Sequence, residues 1–249
     1  MIDNIREISS VAWADIRFLR HTILNVLLTS LMSPLLYLLA FGYGLGRGQV
    51  VDGVPYIAFI IPGIIALSAL SSSFTSTSTR MNVQRLYYRN LDELVLCPLR
   101  VSSIVMGKAV MGMLRSILSC AIIFVLGMFI TDGLRFNIEF VITLLLTCLA
   151  FSLLGETAAF LAKSHQSLAA FNTLVILPMT FLCGTFFSVS SMPEWLQVIL
   201  YALPLTYSSA LMRESMLGWD FSWLYLVVLI ALTVILFVLN MYLIKSKRV

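Results

Sequence analysis

Six stretches of this chain are each long and apolar enough to cross a bilayer, and what lies between them is too short to fold in water. They run Thr22–Phe41, Tyr56–Thr79, Val110–Ile130, Phe140–Ala162, Leu168–Ser188 and Trp223–Ile244. Each holds about 20 residues or more, which at ~1.5 Å rise per residue spans the roughly 30 Å hydrocarbon layer. Backbone polar groups in lipid must find partners within their own segment, so the spans are predicted to be helices and the fold class all-α. The sequence is 60% hydrophobic and 11% charged, against about a quarter charged in a soluble domain. A single membrane domain over residues 1–249 is therefore expected. No small-residue cleavage site follows the first apolar stretch, so it is expected to be a retained span.

The net charge of +4 is too modest to argue for nucleic acid; its distribution says more. One side of the membrane receives Arg6, Arg17, Arg20, Arg80, Arg85, Arg89, Arg100, Lys108, Lys163, Lys245, Lys247 and Arg248. The other receives Arg47, Arg135 and Arg213, with Arg115 inside a span. The positive-inside rule then predicts both termini and the Arg80–Lys108 segment on the cytoplasmic side. Cys97, Cys120, Cys148 and Cys183 lack metal-ligand spacing and read as free thiols, small apolar residues in effect. His21 and His165 lie apart at membrane borders and read as interfacial.

Between the spans, four features stand out. Asn4–Arg20 places Ile5, Ile8, Ala12, Ile16 and Leu19 on one face, an amphipathic helix suited to the inner interface. The second span turns hydroxyl-rich from Ser68 through Ser72 and Thr75 to Thr79, a face that either packs closely on protein or lines a wet cavity. Within residues 80–103, Leu91, Asp92, Glu93, Leu94, Val95 and Leu96 form a short helix with acidic residues in its first turn, stopped before Pro98. Its Leu91, Leu94 and Val95 make an apolar ridge below the membrane. Finally, Ser191-Met192-Pro193-Glu194 reads as a capping box. It opens a short helix through Trp195 that ends before Pro204, and a second helix runs from Thr206 through Tyr207 to Leu217. Both are too apolar for water and too short to cross, hence re-entrant or interfacial over 189–218.

Two ionisable residues fall within spans. Arg115 lies seven residues past Lys108 and Glu156 seven before Lys163, so at ~1.5 Å per residue their depths match. An unpaired charge there costs on the order of 3 kcal/mol or more, and an ion pair between them is predicted. Proton coupling through Glu156 is the other reading of that position. No phosphate loop, H-E-x-x-H or G-x-S-x-G motif occurs, so the chain carries no recognisable fuel-burning or hydrolytic site.

The motif order resembles the ABC type-2 transporter permeases. Tyr56-Ile-Ala-Phe-Ile-Ile-Pro62-Gly63 is similar to that family's Y-x-x-F-x-x-P-G, and Glu93-Leu94-Val95-Leu96-Cys97-Pro98 to its E-x-L-L-x-x-P. Gly107-Lys108 matches its G-K, and Pro178 through Phe187 resembles P-x-x-F-L-x-G-x-F-F. Pro193-Glu-Trp195-Leu-Gln and Leu203-Pro204-Leu-Thr-Tyr207 are similar to L-P-x-W-L-Q and N-P-L-T-Y. Gln84-Arg85-Leu86 stands where the family has E-R-E, and Leu203 where it has Asn.

The resemblance implies a six-helix subunit that pairs with itself or a close paralogue and sits on two copies of a soluble ATP-binding subunit, where ATP and Mg bind. No cofactor is expected on this chain. By the same resemblance Asn4–Arg20 is the connecting helix and Leu91–Leu96, with Pro98, the coupling helix. The second and fifth spans line the path with Ser68, Ser72, Thr75, Phe171, Phe181 and Phe187. Pro193, Trp195, Pro204 and Tyr207 belong to the outer gate. Phenylalanines in the path suit export of a hydrophobic or amphipathic molecule. A polysaccharide, lipo-oligosaccharide or glycolipid cargo is the second reading, and an ion-coupled carrier the third.

Overall fold

The computed structural model describes residues 6–13, 28–29, 31–45, 48–88, 93–94, 96–131, 133–187, 189 and 192–246. At its centre stands α3 (Tyr56–Val83), 89% buried along its apolar window. The reason lies in its composition: Ile60, Ile61, Ile64 and Ile65 are joined by Ala66, Ser68 and Ala69, apolar or small all round, so over residues 60–70 no face is left for water or lipid. Around it pack α4 (Val101–Ile130) and α5 (Ile138–Leu161). A Cβ on Gly112 of α4 would fall 2.1 Å from Thr77 Oγ1 of α3 and 2.4 Å from Ser152 Oγ of α5. One on Gly155 of α5 would fall 2.8 Å from the Phe74 carbonyl. Apolar side chains gain nothing by leaving lipid tails, so close backbone approach at such glycines is what draws these helices together.

By contrast α10 (Trp223–Lys245) lies at the rim and is 22% buried. It is fastened to α5 by the Asn240 amide, which donates to the Leu153 carbonyl at 2.9 Å and accepts from Thr157 at 3.0 Å. Upstream of α3 lie the helical stretch α1 (6–13) and α2 (Leu31–Gly42), a shorter apolar helix whose far end winds as a π-helix over Leu38–Leu45. The segment that joins α2 to α3 is not irregular throughout. It holds a hairpin of β1 (Val50–Val51) and β2 (Val54–Pro55), closed by Asp52 and Gly53 at φ of 50° and 80°. Asp-Gly with both residues at positive φ is the turn that matches strand twist.

The second half departs from expectation at several boundaries. The predicted fifth span is three joined pieces: α6 (His165–Phe171), a π-helix (Asn172–Ile176) and α7 (Leu177–Leu182). It begins earlier than predicted because Ser164 and Ser167 form a reciprocal capping box. It stops at Leu182, and Gly184 at φ of 72° sits in the Cys183–Phe187 turn that follows. After it come α8 (Glu194–Tyr201) and α9 (Pro204–Leu217), bent by 92° from each other. The predicted Ser191 cap lies outside the described residues; α8 itself starts at Glu194, directly after Pro193. Pro204 opens α9, two residues before the predicted start, in the position where a missing N–H costs nothing. Among the described residues four helices are long and apolar enough to cross a bilayer, five if the bent α8–α9 pair counts as one span.

Candidate functional site

At the cytoplasmic end implied by the charge pattern, charged side chains meet helix termini. Glu7 of α1 accepts from the Arg100 backbone N–H at 3.3 Å, one residue ahead of α4. The Ser103 hydroxyl, more than that N–H, holds the Glu7 carboxyl below its usual range. A carboxylate belongs there, at the positive end of the helix dipole. Gly107 lets α1 lie close, since its Cβ would fall 2.7 Å from Val11. Next to it Lys108 donates to Gln84 at 2.9 Å. Arg85 reaches the carbonyls of Ala159, Phe160 and Ala162 and so caps the end of α5. Gln84, which departs from the first Glu of the family's E-R-E, and Arg85, which keeps its Arg, thus tie α3 to α4 and α5.

Of the predicted coupling residues, Leu91, Asp92 and Val95 lie outside the described residues. Glu93 and Leu94 are helical, and the Cys97 N–H closes a helical turn on the Glu93 carbonyl at 3.2 Å. Leu96 is 86% exposed and Pro98 is exposed too. A leucine so bare outside the bundle is a surface waiting for lipid or protein.

The predicted path residues separate into two groups. Ser68 and Ser72 are turned into the chain's own bundle, with Ser73 and Thr77, so that part of the hydroxyl face serves packing. The exposed hydroxyls are those at four-residue spacing, Thr75 and Thr79, with Ser71 half-buried above them. Phe171 stacks on Phe74 at 5.8 Å between ring centres. Phe181 and Phe187 are exposed, whereas Phe186 is buried against Phe41 at 4.4 Å and Tyr37 at 5.5 Å. These rings join α2 to the end of the fifth helical segment.

The predicted ion pair is not made. Among the described residues neither carboxylate oxygen of the fully buried Glu156 has a hydrogen-bond partner, and the cation acting on it is Lys108. The register explains the error. Gly112 opposes Ser152, and α4 and α5 run antiparallel, so one turn toward the start of α4 Lys108 stands level with Glu156. Arg115 is nearly a turn away on the other side of that contact. Depth counted from the span ends missed a register set by one glycine.

At the opposite end of the bundle, Trp195 is exposed on α8, and Tyr207 of α9 donates to the Tyr201 carbonyl and meets the Tyr225 ring edge-on at 5.5 Å. Glu214 accepts from the Ser222 N–H at 2.8 Å and hydroxyl at 2.9 Å, binding α9 to the start of α10. Arg213, counted above only among the charges of the outer side, is 6% exposed inside the bundle. It donates to the Phe59 carbonyl of α3 at 3.2 Å and the Gly184 carbonyl at 2.7 Å, and lies 3.9 Å over the Phe59 ring. Beside it Tyr56 donates to the Phe186 carbonyl at 3.1 Å, and a Cβ on Gly63 would fall 2.3 Å from the Thr185 carbonyl oxygen. The Tyr56, Gly63 and Gly184 motif positions therefore meet in one place, around an arginine to which the sequence reading gave no role. The one sequence signal for it was a cation inside a helical repeat of small and apolar residues.

Comparison with known proteins fits this geometry. The sequence profile described as ABC-2 type transporter matches residues 7–217, from the docked α1 to the end of α9. The chain belongs to the ABC-2 type transporter family. Its relatives include Nodulation protein J of Bradyrhizobium diazoefficiens, 32% identical over 80% of this chain and 76% of that protein. Nodulation protein J of Rhizobium meliloti is 33% identical over 77% and 74%. The inner membrane transport permease YadH of Escherichia coli K12 is 26% identical over 80% and 79%. As a member of the ABC-2 family this chain is an integral membrane protein and a transport subunit. The family match ends at α9, so α10 lies outside the region on which membership rests.

Proposed function

We propose that this chain is the six-helix permease subunit of an ATP-driven exporter in the inner membrane, with both termini cytoplasmic. Two such subunits, identical or closely paralogous, sit on two copies of a soluble ABC ATPase that binds ATP and Mg. The cargo is a hydrophobic or amphipathic small molecule, moved outward by alternating access. The family match over residues 7–217 carries this reading. The exposed Leu96 and Pro98 support it as the part that touches the ATPase. Closure of the ATPase pair pushes on that part, and the helices fastened by Glu7, Arg85 and Lys108 transmit the push. The permease's own part is to have two stable arrangements.

The exposed hydroxyls Thr75 and Thr79 on α3 favour a second cargo class, a polysaccharide, lipo-oligosaccharide or glycolipid. Sugars would be met by hydroxyls and lipid chains by Phe181 and Phe187.

Co-purification from the native membrane and reconstitution in vesicles test the proposal. Hydrolysis is expected to come from the partner and to be stimulated by the cargo. Replacing Glu93 and Leu94 by alanine should leave membrane levels and basal hydrolysis intact. Export should fall about tenfold or more, the range of one switch contact. Unchanged export would remove the coupling role, and export by the purified chain alone would overturn the ATP-driven reading.

A further inference from the structure

Arg213 sits where a charge is hardest to hold. It is buried, yet every acceptor it reaches is a neutral carbonyl, Phe59 on α3 and Gly184 in the Cys183–Phe187 turn. The guanidinium is a rigid fork, and here it bridges two elements that α9 otherwise meets through packing and one hydroxyl, Ser209 to the Cys183 carbonyl at 2.8 Å. Two carboxylates act on it from a distance. Glu214 is already engaged at Ser222. The other is Asp52, exposed at the tip of the hairpin that leads into α3.

We propose that Arg213 is the positioning residue of the outer gate, a latch with two seats: closed on the Phe59 and Gly184 carbonyls, open beside the Asp52 carboxylate. The proposal rests on the export reading for the meaning of the open seat, not for the closed one. In the closed seat the arginine pins the Cys183–Phe187 turn against α3, where Gly63 admits it and Tyr56 holds its far end at Phe186. When α9 tilts outward both carbonyl bonds break together, because one planar group makes them. The freed charge then moves toward the only outer carboxylate among those acting on it that has no helix cap to hold. Exchange of a buried neutral seat for an exposed charged one gives two discrete states and no stable middle.

The chain carries its own reporter. Cys183 is buried beside Gly184, while Cys120 and Cys148 are buried between α4 and α5 and Cys97 is exposed near the coupling turn. The test uses the full chain with its partner in intact cells and a membrane-impermeant maleimide, with C183S as the blank. Resting wild-type protein is expected to label slowly and R213M about tenfold faster, a typical size for one coupling contact. R213K, which keeps the charge but loses the fork, is expected to lie between them. Energised wild-type cells should label faster than depleted ones, and D52N should abolish that rise while leaving resting protection intact. These opposite directions separate a latch from general loosening, which would raise labelling in both variants. Equal labelling of R213M or R213K and wild type would overturn the closed seat. A D52N variant that labels like R213M at rest would overturn the open one. A fast R213M beside an energised wild type that never labels would count against the export cycle instead.

Discussion

The two ends of this molecule are held by different physics. At the end where the basic residues gather, Glu7 meets the start of α4, Arg85 the end of α5, and Lys108 meets Gln84. Each of these contacts is made by its own side chain, so one can loosen without the others. At the outer end one buried guanidinium serves two elements at once, and α3 touches the Cys183–Phe187 turn backbone to backbone at Gly63. Graded contacts suit a place where force enters and helices must stay attached while they tilt. An all-or-none contact suits a gate.

The sharpest way to break this contrast is Gly63→Ala. The new Cβ would lie 2.3 Å from the Thr185 carbonyl oxygen and 3.0 Å from its carbon, and backbone cannot rotate aside. Overpacking of this kind costs about 1–3 kcal/mol, so a clear fall in thermal midpoint and in folded protein is expected. Gly112→Ala is the control, because its Cβ would meet the Thr77 and Ser152 hydroxyls first, side chains that can turn. If Gly112→Ala proved the more damaging, the outer end would not be the tightly fitted one.

A smaller effect is expected from Arg85→Gln. It removes a charge from three carbonyls at the end of α5, a loss of about 1–2 kcal/mol. Hydrogen exchange should quicken in the last turn of α5 and stay unchanged around α9. Spread to α9 would mean that the two ends are not mechanically separate.

What the sequence made legible follows from period and composition. Long apolar runs located α3, α4, α5 and α10, and the motif order located the family. The membrane removes the usual guide to which face is inside, however, since lipid and core are equally apolar. So the hydroxyl face of α3 could not be divided in advance into Ser68 and Ser72, which pack inward, and Thr75, which does not. Register between helices was equally hidden, because the Gly112–Ser152 contact sets it. That is why Glu156 was matched with Arg115 when Lys108 shares its level. Arg213 was missed for a related reason: in a short helix between longer spans, a cation reads as one more charge beside the membrane until its carbonyl partners from distant parts of the chain are known.

The smallest expected effect is the docking of α1, and it carries a pH signature. The Glu7 carboxyl lies below its ordinary value of 4.5 because the Ser103 hydroxyl and the Arg100 N–H stabilise the charged form. A depressed value means that docking gains from ionisation above about pH 4.5 and loses that gain as pH falls through the folded value. Exchange at α1 and the first turn of α4 should therefore be constant from pH 7 to about pH 5, after correction for intrinsic rates, and rise below it. E7Q should show the faster exchange at every pH and no step. Because the site faces water, high salt should shrink the difference. A step of equal size in E7Q would assign the transition to another carboxylate and leave α1 held by Val11 against Gly107 alone.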